Sequence, residues 1–211
     1  MGSNDEDGLG DDRMNQIEFF SKNVFFTTRQ YAFSLEIAIE TASRRLHQLE
    51  KDKSLVSLTR GVWAQLHHPF YSPYGAIPYL LGNEQGYLSF LTALHRHDVI
   101  SQIPKTIQIA TTGRGRLLVS ERNEYEFFQL QPQMMRDGIC VNEGRLSYNI
   151  ASPEKALLDT LYLSTRKGRR FAKLPEVNQD VLDQKELNRL LMGFSKPIQA
   201  LILPRLEKMM K

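Results

Sequence analysis

Glu40-Thr41-Ala42-Ser43-Arg44-Arg45-Leu46-His47-Gln48-Leu49-Glu50-Lys51 is the stretch that decides how the first third of the chain folds. Ala42, Leu46 and Leu49 fall at i, i+4 and i+7, which places them on one side of an α-helix. The opposite side is wholly polar: Arg44, Gln48 and Lys51 make one row, Ser43 and His47 the neighbouring row. Donors of several lengths therefore project together. Major-groove reading needs such a set, because arginine donates twice to guanine O6 and N7, glutamine pairs with adenine, and serine bonds base or phosphate. Each good bidentate contact discriminates by about 1 to 3 kcal/mol. Taken alone, the same pattern describes a solvated helix face, so the neighbouring segments carry the decision.

Upstream, Ile17, Phe20 and Val24 recur at spacings of three and four and predict a first helix with one apolar stripe. Thr27 is placed to cap a second helix while Gln30 reaches back, with Ala32 and Leu35 as its buried face. Glu36 to Ile39 must then be the turn, although it lacks a glycine. Downstream, Leu55-Val56-Ser57-Leu58, the turn Thr59-Arg60-Gly61 and Val62-Trp63-Ala64-Gln65-Leu66 read as a hairpin. Arg60 at its tip suits a minor groove or a phosphate, whereas Trp63, the only tryptophan, suits the core. Helix, capped helix, polar helix and Arg-tipped hairpin in this order predict a winged helix-turn-helix. Its candidate DNA-binding residues are Thr28, Ser43, Arg44, Arg45, His47, Gln48, Lys51 and Arg60.

Three segments are expected: an acidic, disordered leader over 1–12, the winged helix over 13–68, and a C-terminal domain over 69–211. The Pro/aromatic run His67-His68-Pro69-Phe70-Tyr71-Ser72-Pro73-Tyr74-Gly75 marks the second boundary. Beyond it a helix from about Ser89 to His97 precedes short alternating runs at Ile107 to Thr111, Tyr125 to Leu130, Gly138 to Val141 and Leu146 to Ile150, which predict a small sheet. Three helices follow. Ser152 caps the first with Pro153 at N1, Asp183 and Glu186 open the second, and Ser195 with Pro197 opens the last, which Pro204 should kink or end. The expected class is α+β, a winged helix-turn-helix followed by a mixed α/β domain.

Of the 211 residues, 41% are hydrophobic and 24% charged, ordinary values for a globular chain with a proper core. No run of apolar residues is long enough to span a membrane, and the N-terminus is acidic, so a cytoplasmic protein is expected. The Met1-Gly2-Ser3 opening has the look of an added tag, which makes Met14 a candidate natural start. A single cysteine, Cys140, excludes a disulfide framework and a zinc finger; its apolar setting predicts a buried thiol. Asp5, Glu6, Asp7, Asp11 and Asp12 crowd the leader, and setting these five acids aside turns the net charge of +3 into +8. A basic body suits a polyanionic partner.

Two further motifs set a family resemblance. Gly86-Tyr87-Leu88-Ser89-Phe90-Leu91-Thr92-Ala93-Leu94-His95 with Ile103-Pro104, and above all Ile150-Ala151-Ser152-Pro153-Glu154-Lys155-Ala156-Leu157-Leu158-Asp159-Thr160-Leu161-Tyr162-Leu163, make the chain resemble the AbiEi family of antitoxins and transcriptional regulators. Phe26-Thr27-Thr28, Ala42-Ser43-Arg44-Arg45-Leu46 and Leu58-Thr59-Arg60-Gly61-Val62-Trp63 extend the likeness into the N-terminal third. The resemblance implies autorepression of a two-gene operon through inverted repeats, and neutralisation of a nucleotidyltransferase-like toxin by the C-terminal domain without required contact, as in type IV toxin-antitoxin systems. The expected protein is non-enzymatic, with no cofactor or metal, and dimeric or cooperative on DNA, a homodimer being one form, because inverted repeats mirror two-fold symmetry. The chain departs from the commonest family pattern at Glu36-Ile37-Ala38-Ile39, where a glycine-containing turn is usual. The alternative is a stand-alone winged-helix transcription factor with a ligand-sensing C-terminal domain.

Other clusters read more plainly. Glu154, Lys155 and Asp159 invite comparison with a nuclease site, yet a capped helix with a Lys155 to Asp159 pair at i, i+4 explains them. His95 and His97, and His67 and His68, lack metal-ligand spacing. Thr112-Gly113-Arg114-Gly115-Arg116 reads as a basic turn rather than a phosphate loop. Arg166, Lys167, Arg169, Arg170 and Lys173 form the strongest charge cluster, a candidate support for antitoxicity or DNA binding.

Overall fold

In the computed structural model, which describes residues 6–166, 171 and 174–209, helix α1 spans Glu6–Lys22. The leader expected to be disordered is thus helical from Glu6 onward, and Met1 to Asp5 lie outside the described residues. The core-facing side of α1 also differs from expectation. Ile17 is 68% exposed, and Phe19 is buried instead, because its ring meets Phe26 and Tyr31 edge-on at 5.1 and 5.3 Å.

Strand β1 (Phe25–Thr27) leads into α2 (Thr28–Ser34), whose start carries the full capping box: Gln30 N–H donates to Thr27 Oγ1 and Thr27 N–H to Gln30 Oε1. At the other end Glu36 adopts φ +53, Glu36 N–H donates to Phe33 O, and Ile37 N–H donates to Ala32 O at 3.0 Å. This is a Schellman cap with glutamate in the left-handed position that glycine usually fills. Helix α3 (Ile39–Lys51) follows at once and buries Ala42 and Leu46, with Leu49 partly buried. Lys53, at φ +57, closes it in the same manner, Ser54 N–H reaching Leu49 O.

The hairpin β2 (Val56–Thr59) and β3 (Val62–Ala64) turns at Arg60-Gly61, where Gly61 holds φ +75, a conformation that suits glycine. β3 is central in the antiparallel order β1-β3-β2. Phe19, Phe26, Tyr31, Leu46 and Trp63 share one core beneath it. Helix α4 (Ile77–Leu81) comes after the Pro/aromatic stretch.

The chain divides into Met1–Gly82 with Val119–Arg122, and Asn83–Leu118 with Asn123–Lys211. The break after Gly82 lies beyond the boundary expected at 68/69. Residues 69–82 belong with the first unit because Tyr71 and Tyr79 set their rings beside Phe25 at 5.5 and 6.0 Å.

In the second unit β4 (Gly86–Leu88), α5 (Phe90–Arg96), β5 (Ile107–Thr111), β6 (Arg116–Val119, whose last residue is counted with the first unit), β7 (Glu124–Gln129), β8 (Ile139–Asn142) and β9 (Tyr148–Ala151) precede α6 (Pro153–Ser164), α7 (Gln184–Met192) and α8 (Lys196–Met209). The strands form a mixed sheet in the order β6-β7-β5-β4-β9-β8. β4 and β6 complete the sheet expected from the four longer runs. Cys140 is exposed, contrary to the buried thiol expected: β8 is an edge strand paired with β9, so its short apolar run is not enclosed. Ser152 caps α6 and Asp183 caps α7, but Glu186 pairs with Arg189 rather than reaching back. Pro204 does not end α8, which continues to Met209. The chain is α+β, and no described helix is long and apolar enough to cross a membrane.

Candidate nucleic-acid interface

The polar residues of α3 lie where the periodicity places them. Arg44, His47, Gln48 and Lys51 are exposed, while Ser43 and Arg45 are half-buried. Arg44 Nη2 donates to Thr41 Oγ1 at 3.4 Å and Gln48 Nε2 to Asp52 Oδ1 at 3.3 Å, both weak, solvent-facing bonds. Among the described residues no ion pair holds Arg44, Lys51 or Arg60. Arg60 is exposed at the hairpin tip.

Two of the candidates have internal duties. Thr28 Oγ1 accepts the Trp63 indole N–H at 2.9 Å, and Thr28 N–H donates to Gly61 O at 3.0 Å, so this residue ties the hairpin to α2. Trp63 is 2% exposed, and a buried indole N–H needs such an acceptor. His47 stands edge-on to the Trp63 ring at 5.0 Å, with Nδ1 3.2 Å from Glu50 Oε2. Glu50 Oε1 in turn accepts the Ser57 N–H of β2 at 3.2 Å. Glu50, absent from the sequence-based set, thus links α3 to the hairpin; a lone acid between leucine and lysine carries no signal of that role.

Of the second basic cluster, Arg166 is described. Its Nη2 donates to the Tyr162 hydroxyl at 2.8 Å and its guanidinium lies 4.9 Å from that ring's centre. Lys167, Arg169, Arg170 and Lys173 lie outside the described residues.

The charged residues of α6 are arranged in the opposite way. Lys155 and Asp159 are fully buried and paired. Lys155 Nζ donates to the Tyr87 hydroxyl at 2.7 Å, and Tyr87 and Ser89 donate to Asp159 Oδ2 at 3.0 and 2.8 Å. Burial pulls the Lys155 pKa down and pushes that of Asp159 up, while their mutual attraction works against both shifts. Burial together with the Asp159 charge also raises the Tyr87 pKa well above its ordinary value. Glu154 accepts from the Ser152 hydroxyl and from the Asp183 N–H. Gly138, at φ +73, packs so close to Lys155 that an added Cβ would come within 2.8 Å of the lysine Cβ. The Lys155, Asp159, Tyr87, Ser89 and Glu154 polar groups are each hydrogen-bonded within the protein, and the Lys155 and Asp159 side chains are fully buried; the arrangement braces α6 against β4.

Among the described residues no cluster of three or more His, Cys, Asp and Glu side chains has metal-site geometry. His97 Nε2 lies 2.8 Å from Ala151 O and His68 Nε2 lies 3.3 Å from Ser21 O. No protein-family model matches the chain, and no curated protein matches it.

Proposed function

We propose that the chain is a non-enzymatic DNA-binding repressor and antitoxin of a type IV toxin-antitoxin operon, acting in the cytoplasm through an N-terminal winged helix-turn-helix. One observation carries the DNA-binding half of this reading: α3 turns Arg44, Gln48 and Lys51 to solvent while the β2–β3 hairpin beside it exposes Arg60. A helix of this kind docks in a major groove, and a hairpin tip of this kind meets the adjoining backbone or minor groove. Inverted repeats in the operator would be met by two copies, one on each half-site.

The antitoxin half rests on the likeness of Ile150 to Leu163 and Gly86 to His95 to the AbiEi family. The partner gene is then a nucleotidyltransferase-like toxin, which need not be contacted. A footprint of the full chain on its own upstream region, with co-expression of the neighbouring toxin gene, tests both halves. Protection of an inverted repeat and restored growth are expected; unchanged operator binding by Arg44→Ala sinks the helix assignment, and absence of rescue sinks the antitoxin.

A second reading, a stand-alone winged-helix regulator with a ligand-sensing C-terminal half, is favoured by one feature: a cavity of about 730 Å3 in the second unit, walled in part by Leu161, Leu174 and Arg205.

A further inference from the structure

We propose that this cavity is a binding site for a small carboxylate with an apolar body, such as a medium-chain fatty acid anion. Its walls come from the last turns of α6 and α8 and from the segment that precedes α7. Leu161, Leu174, Val177 and Met209 supply apolar surface, and Arg205 and Lys208 supply positive charge. The volume falls within the range that small-molecule sites occupy. Gln179 Nε2 donates to Met209 O at 3.2 Å and ties the segment before α7 to the end of α8, two of the walls of the space.

Arg205 points to the ligand's headgroup. It is half-buried, and one nitrogen donates to Ser164 Oγ at 2.9 Å, a neutral partner. No carboxylate pairs with it among the described residues. A guanidinium has five N–H donors, and withdrawing its charge from water without a counter-ion is unfavourable. A carboxylate satisfies it through two parallel N–H bonds, while the apolar wall takes the chain attached to that carboxylate. Glu176 on the same wall opposes a dianion more strongly than a monoanion, which favours carboxylate over phosphate. The site lies wholly within the second unit and owes nothing to the DNA-binding reading.

The test is calorimetric titration of the full chain with octanoate, octanol and inorganic phosphate. Saturable binding of one octanoate is expected, about tenfold or more tighter than octanol, with phosphate failing to displace it. Arg205→Ala should weaken octanoate by about tenfold, and Val177→Glu, which places a negative charge at the wall, should weaken it comparably without touching the guanidinium. Octanoate binding unchanged in both variants, equal affinity for octanol, displacement by phosphate, or no binding of any probe would each overturn the site.

Discussion

Helices α3 and α6 have 13 and 12 residues, and each carries several charged side chains, yet they use them in opposite ways. On α3 only Ala42 and Leu46 are fully buried, and Arg44, His47 and Lys51 are exposed. On α6 eleven of the twelve residues are buried, Glu154, Lys155 and Asp159 among them. Charged residues at helical spacing therefore say little about function until their surroundings are known. On α3 Arg44 and Lys51 are exposed and no ion pair holds them among the described residues, whereas the charges of α6 already have partners within the fold, so Glu154, Lys155 and Asp159 form a brace.

The largest expected effect tests that brace. Lys155→Met alone leaves Asp159 buried without its counter-charge and should cost about 3 to 5 kcal/mol in denaturant unfolding. The pair Lys155→Met with Asp159→Leu should recover a substantial part of that loss, since an apolar pair of similar volume avoids the desolvation. A single variant as stable as the parent would break the contrast between the two helices. On α3 the same kind of change should leave stability nearly untouched and act on DNA. Arg44→Ala should lose about 1 to 3 kcal/mol of discrimination at one operator position, while Lys51→Ala should weaken all sequences alike and lower the salt slope by about one. Binding assays at two or more salt concentrations separate these outcomes.

A smaller effect concerns how α3 is presented. Glu36 holds a left-handed backbone in the turn before α3, so Glu36→Gly should raise stability by about 1 kcal/mol, read as a shift in the denaturant midpoint at constant slope. The last effect is visible only in alkali. The folded chain keeps the Tyr87 proton to higher pH than the unfolded chain, so the stability tied to it is complete below the ordinary tyrosine value of 10.0 and is lost as pH rises through the folded value. Tyr87→Phe should remove that portion of the alkaline slope; an unaltered slope would place Tyr87 outside the buried network.

Where the fold was legible, the signal was local. Thr27 with Gln30, Ser152 with Pro153, and Asp183 cap helices through atoms two or three residues away, and each cap is present. Helix ends were less legible because Glu36, Lys53 and Asp98 take the left-handed position where a glycine would have announced the stop. Strands β1 and β4 span three residues each, too few for alternation to show, and they owe their place to pairing with β3, and with β5 and β9. At the candidate interface, period 3.6 placed Arg44, Gln48 and Lys51 outward. That Thr28 serves Trp63, and that Glu50 joins α3 to β2, depends on residues 35 and 7 positions away.

The chain's own sequence determined the helices that open at Thr27, Ser152 and Asp183, the amphipathic face of α3 and the Arg60-Gly61 hairpin, because hydrogen bonds and side-chain periodicity within a few residues suffice for each. Tertiary structure alone decided which charges are buried. Lys155 and Asp159 stand four apart, a spacing that suits a solvated pair equally well, and they lie inside because Tyr87 and Ser89, 72 and 70 residues upstream of Asp159, supply the hydrogen bonds that make burial tolerable. Whether a charge meets water or another group is a property of what packs over it, and no short window of sequence contains that.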